Sequence, residues 1–317
     1  MVTPMRLLKP PAVKSSARLR VIAPASFAQP DRVKNGMEAL RELGFEPALG
    51  TNGLERGPLY FAGTQQQRLT DWNEAFADPD TPAVLALRGG YGSNYLLENL
   101  DVARFQQRPK PFFAYSDLTG AQLHLLDQIG LPAFHGPMVA ADFYRKDGVH
   151  LNSFHAALAG EPYSVDESEG LRLLKPSDGA ATVTGPLYGG CLSILVALLG
   201  TPWEPATEGK LLFLEDTGAK PYQIDRMLWQ LRHAGKLEGV PGIIFGEMLD
   251  CASPGGAPDL LENAILSALD GFAGPIGIGL RSGHVSRQNV TLIFGVGAEF
   301  QATNAPRLSL LEPGVTR

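Results

Sequence analysis

Short apolar runs alternate along the chain with stretches in which apolar residues recur every three or four positions. Residues 19–23 (LRVIA), closed by Pro24, read as a buried strand. Val33, Met37 and Leu40 then mark a helix stopped by Gly44, and 45–49 a weaker strand. Leu69, Trp72 and Phe76 give a second amphipathic helix, closed at Asp78-Pro79. Residues 83–87 (AVLAL) form a strong strand that runs into Arg88-Gly89-Gly90-Tyr91-Gly92, with a short helix near Leu96 after it. The aromatic run 111–115 breaks at Ser116-Asp117 into a helix with Leu118, Ala121, Leu125 and Ile129 on one stripe and Gly130 as its stop; Pro132-Ala133-Phe134 follow. Strands alternating with helices imply βαβ units and a parallel sheet covered on both faces.

The pattern weakens over 163–181 into charged and turn-forming residues, so a boundary is expected there. Beyond it come strands at 182–187, 210–214 (KLLFL), 242–245, 275–280, 290–294 and 308–311. Helices are expected from Gly189-Gly190-Cys191 to Gly200, over Ile224, Leu228 and Leu231, and over 260–269. At 317 residues the chain is long for one core. The division expected is a loose leader at 1–17, an α/β domain bearing the candidate nucleophile at 18–162, a linker at 163–181 and a C-terminal domain at 182–317.

A formal net charge of -6 and the lack of a basic stripe argue against nucleic acid or an anionic membrane as partner. The 44% hydrophobic content is that of a globular chain, and no run approaches the roughly 18 apolar residues of a membrane span. Two cysteines, Cys191 and Cys251, neither in a CxxC spacing, fit a reducing compartment; a cytoplasmic location is expected.

In open parallel sheets, ligands gather at the carboxyl ends of strands. Three such ends carry chemistry: Leu87 into RGGYG, Tyr115 into Ser116-Asp117, and Leu214 into Glu215-Asp216. A fourth candidate is the loop Ser282-Gly283-His284-Val285-Ser286. Ser116 either caps the helix that follows it or serves as a nucleophile near backbone N–H groups that favour negative charge. Glu215 either ends its strand as a plain polar cap or answers a buried partner. RGGYG is either a flexible turn or glycine backbone able to approach a ligand closely, with Arg88, Gly89 and Tyr91 as substrate contacts. It is neither GxGxxG nor a P-loop. Together Ser116, His284 and Glu215 supply a hydroxyl, an imidazole able to take its proton near neutrality, and a carboxylate to fix the imidazole tautomer. No histidine pair has an HExxH-type spacing, so neither a metal nor another cofactor is expected.

Through these residues the sequence resembles the LD-carboxypeptidase family of serine peptidases, the murein tetrapeptide carboxypeptidases and related microcin C immunity hydrolases. The resemblance spans about 18–300. It is carried by VIAPAS, FAGTQQQRLTDWNEAFADP, RGGYG, AYSDLTG, HGPM, GPLYGGCLSILVALLGTPWEP, LFLEDTGAKPYQIDRML and SGHVSRQNVTLIFG in that order. It implies a flavodoxin-like doubly wound N-terminal domain and a smaller β-rich C-terminal domain. Ser116 becomes the nucleophile, Glu215 the acid of the triad and His284 the general base, with an oxyanion hole from the backbone N–H groups of Gly90 and Asp117. It further implies a homodimer, no metal, and release of terminal D-alanine from a murein tetrapeptide.

Three positions depart from the family pattern: Ala114 where Gly is frequent, Cys191 where Asn is frequent, and LRSGHVS around His284. An alternative within the family is a hydrolase of aminoacyl-adenylate analogues, for which Phe143, Tyr144 and Tyr163 could form an aromatic shelf. An alternative outside it is a non-catalytic ligand-binding module on the same scaffold.

Overall fold

The computed structural model describes residues 6–252 and 255–316. Its strands, in chain order, are β1 (Arg18–Ile22), β2 (Glu46–Leu49), β3 (Ala83–Ala86), β4 (Phe112–Ala114), β5 (Ala133–His135), β6 (Ser164–Val165) and β7 (Arg172–Lys175). They continue with β8 (Thr182–Cys191), β9 (Leu211–Glu215), β10 (Ile243–Gly246), β11 (Ile276–Leu280), β12 (Leu292–Phe294), β13 (Gly297–Gln301) and β14 (Arg307–Leu310). They build two compact units. Of the described residues, the first takes 6–161 together with Arg287–Gly295 and 313–316; the second takes Pro162–Ser286 and Val296–Glu312.

The first unit holds a six-stranded sheet in the order β12-β5-β4-β3-β1-β2. Strands β1 to β5 are parallel in the 2-1-3-4-5 order of flavodoxin-like folds, and β12 adds an antiparallel edge against β5. β3, β4 and β5 are buried at every position, which is why they read as continuous apolar runs. Their connections are helices whose ends the sequence marks. Thr64 and Gln67 form a capping box at the start of Gln65–Ala77, whose buried face carries Leu69, Trp72 and Phe76. Helix Thr119–Ile129 stops at Gly130, whose φ of 71° suits glycine.

The second unit holds an eight-stranded sheet, β6-β14-β13-β8-β9-β10-β11-β7. Its centre, β8 to β11, is parallel, and both flanks are antiparallel. β9 is buried at all five positions and delivers Glu215 at its carboxyl end. Helix Pro221–His233 buries Ile224, Leu228 and Leu231, the stripe expected of it.

Three details differ from the sequence reading. The expected linker at 163–181 contains β6 and β7, paired to β14 and β11; strands this short leave little pattern of their own. The apolar run that becomes β12 joins the first sheet although it follows β11 in the chain. Residues 1–5 of the expected leader lie outside the described residues, whereas Leu8 N–H donates to Gly130 O at 2.9 Å and Pro11 bridges to Thr316. Buried Val13 also anchors that segment.

Candidate active site

In the first unit, Tyr115 leaves β4 in extended backbone (φ -158°, ψ -168°) and Ser116 turns sharply, at φ 66°. A non-glycine residue in the left-handed region costs about 1–2 kcal/mol. The turn continues as Ser116–Leu118 and passes into helix Thr119–Ile129; neither element has a side-chain cap at its start. Ser116 is therefore not the helix cap. It is a half-buried hydroxyl on a strained strand-to-helix turn, the shape of a nucleophile elbow.

The RGGYG turn after β3 packs against it. A Cβ on Gly89 would stand 2.7 Å from Ser116 Cβ, 2.9 Å from its Oγ and 3.3 Å from Asp117 N, so only glycine lets the two turns approach this closely. Gly90 has φ 108°, and a Cβ there would meet Ser26 Oγ at 2.5 Å. Ser26, just after β1, ties this turn down: its N–H donates to Gly89 O at 3.3 Å and its Oγ accepts Tyr91 N–H at 3.1 Å. Gly90 and Tyr91 are exposed, Arg88 is half-buried, and the Tyr91 ring sits 5.5 Å from Tyr60 and 6.0 Å from Tyr95. Thus Arg88, Gly89, Gly90, Tyr91, Ser116 and Asp117 gather at the carboxyl ends of β3 and β4, beside the point between β1 and β3 where strand order reverses.

Two buried carboxylates support this turn from behind. Asp117 Oδ2 accepts Ser93 N–H at 2.8 Å, while Ser93 Oγ donates to Asp117 O at 2.6 Å. Burial raises the Asp117 pKa, an effect opposed by N–H groups of Ser93 and Gly92 and by the Arg68 charge. Asp142, wholly buried on the π-helical turn Val139–Phe143, accepts Met138 N–H at 2.9 Å, Tyr115 Oη–H at 3.4 Å and Arg145 at 3.2 Å. Its burial pushes its pKa up to about 6. Neither Ser26 nor Asp142 stood out in the sequence. The signal that could have flagged them is their place in the VIAPAS segment and beside HGPM.

In the second unit, the Glu215 carboxylate is fully buried at the end of β9 and its Oε2 takes two N–H groups of His284. The backbone N–H lies at 3.0 Å and Nδ1 at 2.8 Å. A carboxylate at Nδ1 demands the proton there and leaves Nε2 as the basic nitrogen. Gly283 makes this possible, since its φ is 87° and a Cβ would lie 2.6 Å from Glu215 Cδ. Gly246 is equally constrained, with its Cβ position 2.7 Å from Glu215 Cβ. Glu247, also missed in the sequence, accepts Ser286 N–H at 3.0 Å and holds the far side of the loop.

Asp216 accepts N–H groups of Ser193 and Thr217, both at 2.8 Å. Burial and the Glu215 and Asp216 charges raise the Cys191 thiol pKa well above its ordinary value, so it packs rather than reacts. Among the described residues, no group of three or more His, Cys, Asp and Glu side chains could hold a metal ion. No helix among them is long and apolar enough to cross a membrane.

Residues 19–136 match the model of the LD-carboxypeptidase N-terminal domain and 184–300 that of the LD-carboxypeptidase C-terminal domain. A probable murein peptide carboxypeptidase of Bacillus subtilis (strain 168) is 35% identical over 97% of this chain and 95% of its own. The Microcin C7 self-immunity protein MccF of Escherichia coli is 27% identical over 79% of this chain and 82% of its own. The crystal structure of muramoyltetrapeptide carboxypeptidase from Oxalobacter formigenes superposes with a TM-score of 0.82 at 28% identity, covering 95% of this chain and all of that one.

Proposed function

Since the chain belongs to the LD-carboxypeptidase family, across both of its domains, and is thus a serine-type hydrolase, we propose that it releases the terminal D-alanine of a murein tetrapeptide through an acyl-enzyme. In this reading Ser116 Oγ attacks the scissile carbonyl while His284 Nε2 takes its proton. Glu215 holds the imidazole and stabilises the imidazolium. Backbone N–H groups of Gly90 and Asp117 receive the oxyanion, favoured by the helix that starts just beyond. His284 returns the proton to the leaving amine. Water, deprotonated by the same imidazole, then frees Ser116.

The observation that supports this reading best is the Glu215–His284 pair, in which one buried carboxylate oxygen takes both N–H groups of the histidine. A carboxylate that fixes the imidazole tautomer in this way is what a general base requires. Ser116→Ala should abolish D-alanine release from a tetrapeptide while leaving the melting temperature close to wild type. Turnover by that variant refutes the assignment. A homodimer and a cytoplasmic location belong to the same reading; light scattering and cell fractionation test them.

A second reading, hydrolysis of an aminoacyl-adenylate analogue, is favoured by the MccF relative and by an aromatic surface beside the turn. That surface does not include Phe143, Tyr144 or Tyr163, the residues expected as a shelf; of these, Phe143 packs in the core against Phe154 at 5.2 Å. The surface is made by Tyr60, Tyr91 and Tyr95, which are 45%, 39% and 49% exposed and so able to stack on a base. Turnover of a muropeptide and of an adenylate analogue, measured on one preparation, separates the two.

A further inference from the structure

A peptidase that removes one C-terminal residue has to read the free carboxylate next to the bond it cuts. Bond lengths keep the carbon of that carboxylate within about 4 Å of the scissile carbonyl carbon. The group that reads it therefore stands beside the nucleophile.

In the unit that carries Ser116, most guanidiniums near the turn are engaged. Arg68 is buried, its Nη1 donates to Pro24 O at 2.9 Å and to Gly92 O at 2.7 Å, and its charge faces Asp117. Arg145 pairs with Asp142. Arg88 is different. It is half-buried as the first residue after Leu87, and its Nη2 lies 3.4 Å from the Cβ position of Gly90. The Cβ position of the preceding Gly89 lies 2.9 Å from Ser116 Oγ. Guanidinium and hydroxyl thus flank two consecutive glycines. Among the described residues, no carboxylate pairs with Arg88 and no acceptor takes its guanidinium.

An unpaired guanidinium with a planar fork of donors is built for bidentate binding of a carboxylate. We propose that Arg88 is the receptor for the terminal carboxylate of the leaving D-amino acid, and so the residue that makes the enzyme an exopeptidase. The inference rests on the carboxypeptidase reading above. A C-terminal amide, or a chain longer by one residue, leaves Arg88 facing no charge and is rejected.

The test compares a tetrapeptide ending in a free D-alanine carboxylate with the same peptide amidated at its C-terminus. Wild type should prefer the acid by about 100-fold in kcat/KM, the range for truncating one partner of a hydrogen-bonded charge pair. In Arg88→Gln, kcat/KM on the acid should fall toward that on the amide, mainly through KM, so that the ratio collapses to about one; Arg88→Lys should restore part of it. A variant that keeps the wild-type ratio overturns the inference alone, as does one whose two activities fall in parallel, since Arg88 would then only hold the turn. A wild-type enzyme that releases neither D-alanine from the acid nor D-alaninamide from the amide refutes the carboxypeptidase reading and this inference with it.

Discussion

Gly89→Ala isolates the fit between the two turns of the first unit. The backbone of Gly89 lies outside the left-handed region, so alanine brings no torsional strain, only a methyl group. That methyl would sit 2.7 Å from Ser116 Cβ and 2.9 Å from Oγ. Carbon atoms prefer about 3.5–4.0 Å, so one turn has to retreat by roughly 1 Å. The overpacking should destabilise the protein by about 1–3 kcal/mol. A nucleophile misplaced by about 1 Å costs on the order of 100-fold in rate, or about 2.7 kcal/mol of barrier. The assay is D-alanine release under saturating tetrapeptide, with urea unfolding in parallel. Gly179→Ala is the control, because the nearest atom to its Cβ position is 3.9 Å away; it should change neither measurement. If Gly89→Ala turns over at the wild-type rate, the contact between RGGYG and Ser116 does not position the nucleophile, and the account of the site is wrong.

Three further outcomes are expected. Ser116→Gly and Ser116→Ala both lack the hydroxyl, yet only alanine keeps the strain at φ 66°. Glycine should therefore be the more stable by up to about 1 kcal/mol after its unfolded-state freedom is offset, and an alanine variant at least as stable in urea contradicts the strain. Gly283→Ala forces a Cβ onto Glu215 and should lower kcat by about 100-fold or more through the displaced imidazole; normal turnover would show the His284 loop to be pliant. Asp142 has a folded pKa of about 6, above the unfolded value near ~3.9. The stability it confers when protonated is present below that unfolded value and is lost as pH rises through about 6, amounting to about 3 kcal/mol. Asp142→Asn has no such proton, so urea unfolding between pH 4 and 6.5 should show a correspondingly flatter profile, and identical profiles would exclude the effect.

What the sequence made legible was whatever local chemistry dictates. Gly130 ends its helix because a left-handed residue is needed there, and Gln65–Ala77 begins at a Thr64–Gln67 box whose pieces are three residues apart. Ser116 and Glu215 were visible because polar residues interrupt apolar strands where strands end. Other features rest on pairings between distant parts of the chain, which leave no local trace. Ser26 bonds a residue 65 positions away, and Asp142 reaches back 27 to Tyr115. Ser116 could be read as a cap because serine suits that role; the backbone at φ 66° and the absence of a side-chain cap exclude it.

The antiparallel pairing of β12 with β5 gives the first sheet a history in time. As the chain leaves the ribosome, β5 emerges with one edge bare, and the strand that covers it is not made until almost the whole second unit has followed. At ~5–20 residues per second, that edge stays open for on the order of ten seconds. An open edge is a template for foreign strands. Release of the newborn chain before Leu292–Phe294 would leave a nearly complete Ser116 turn on a sheet still seeking its last strand.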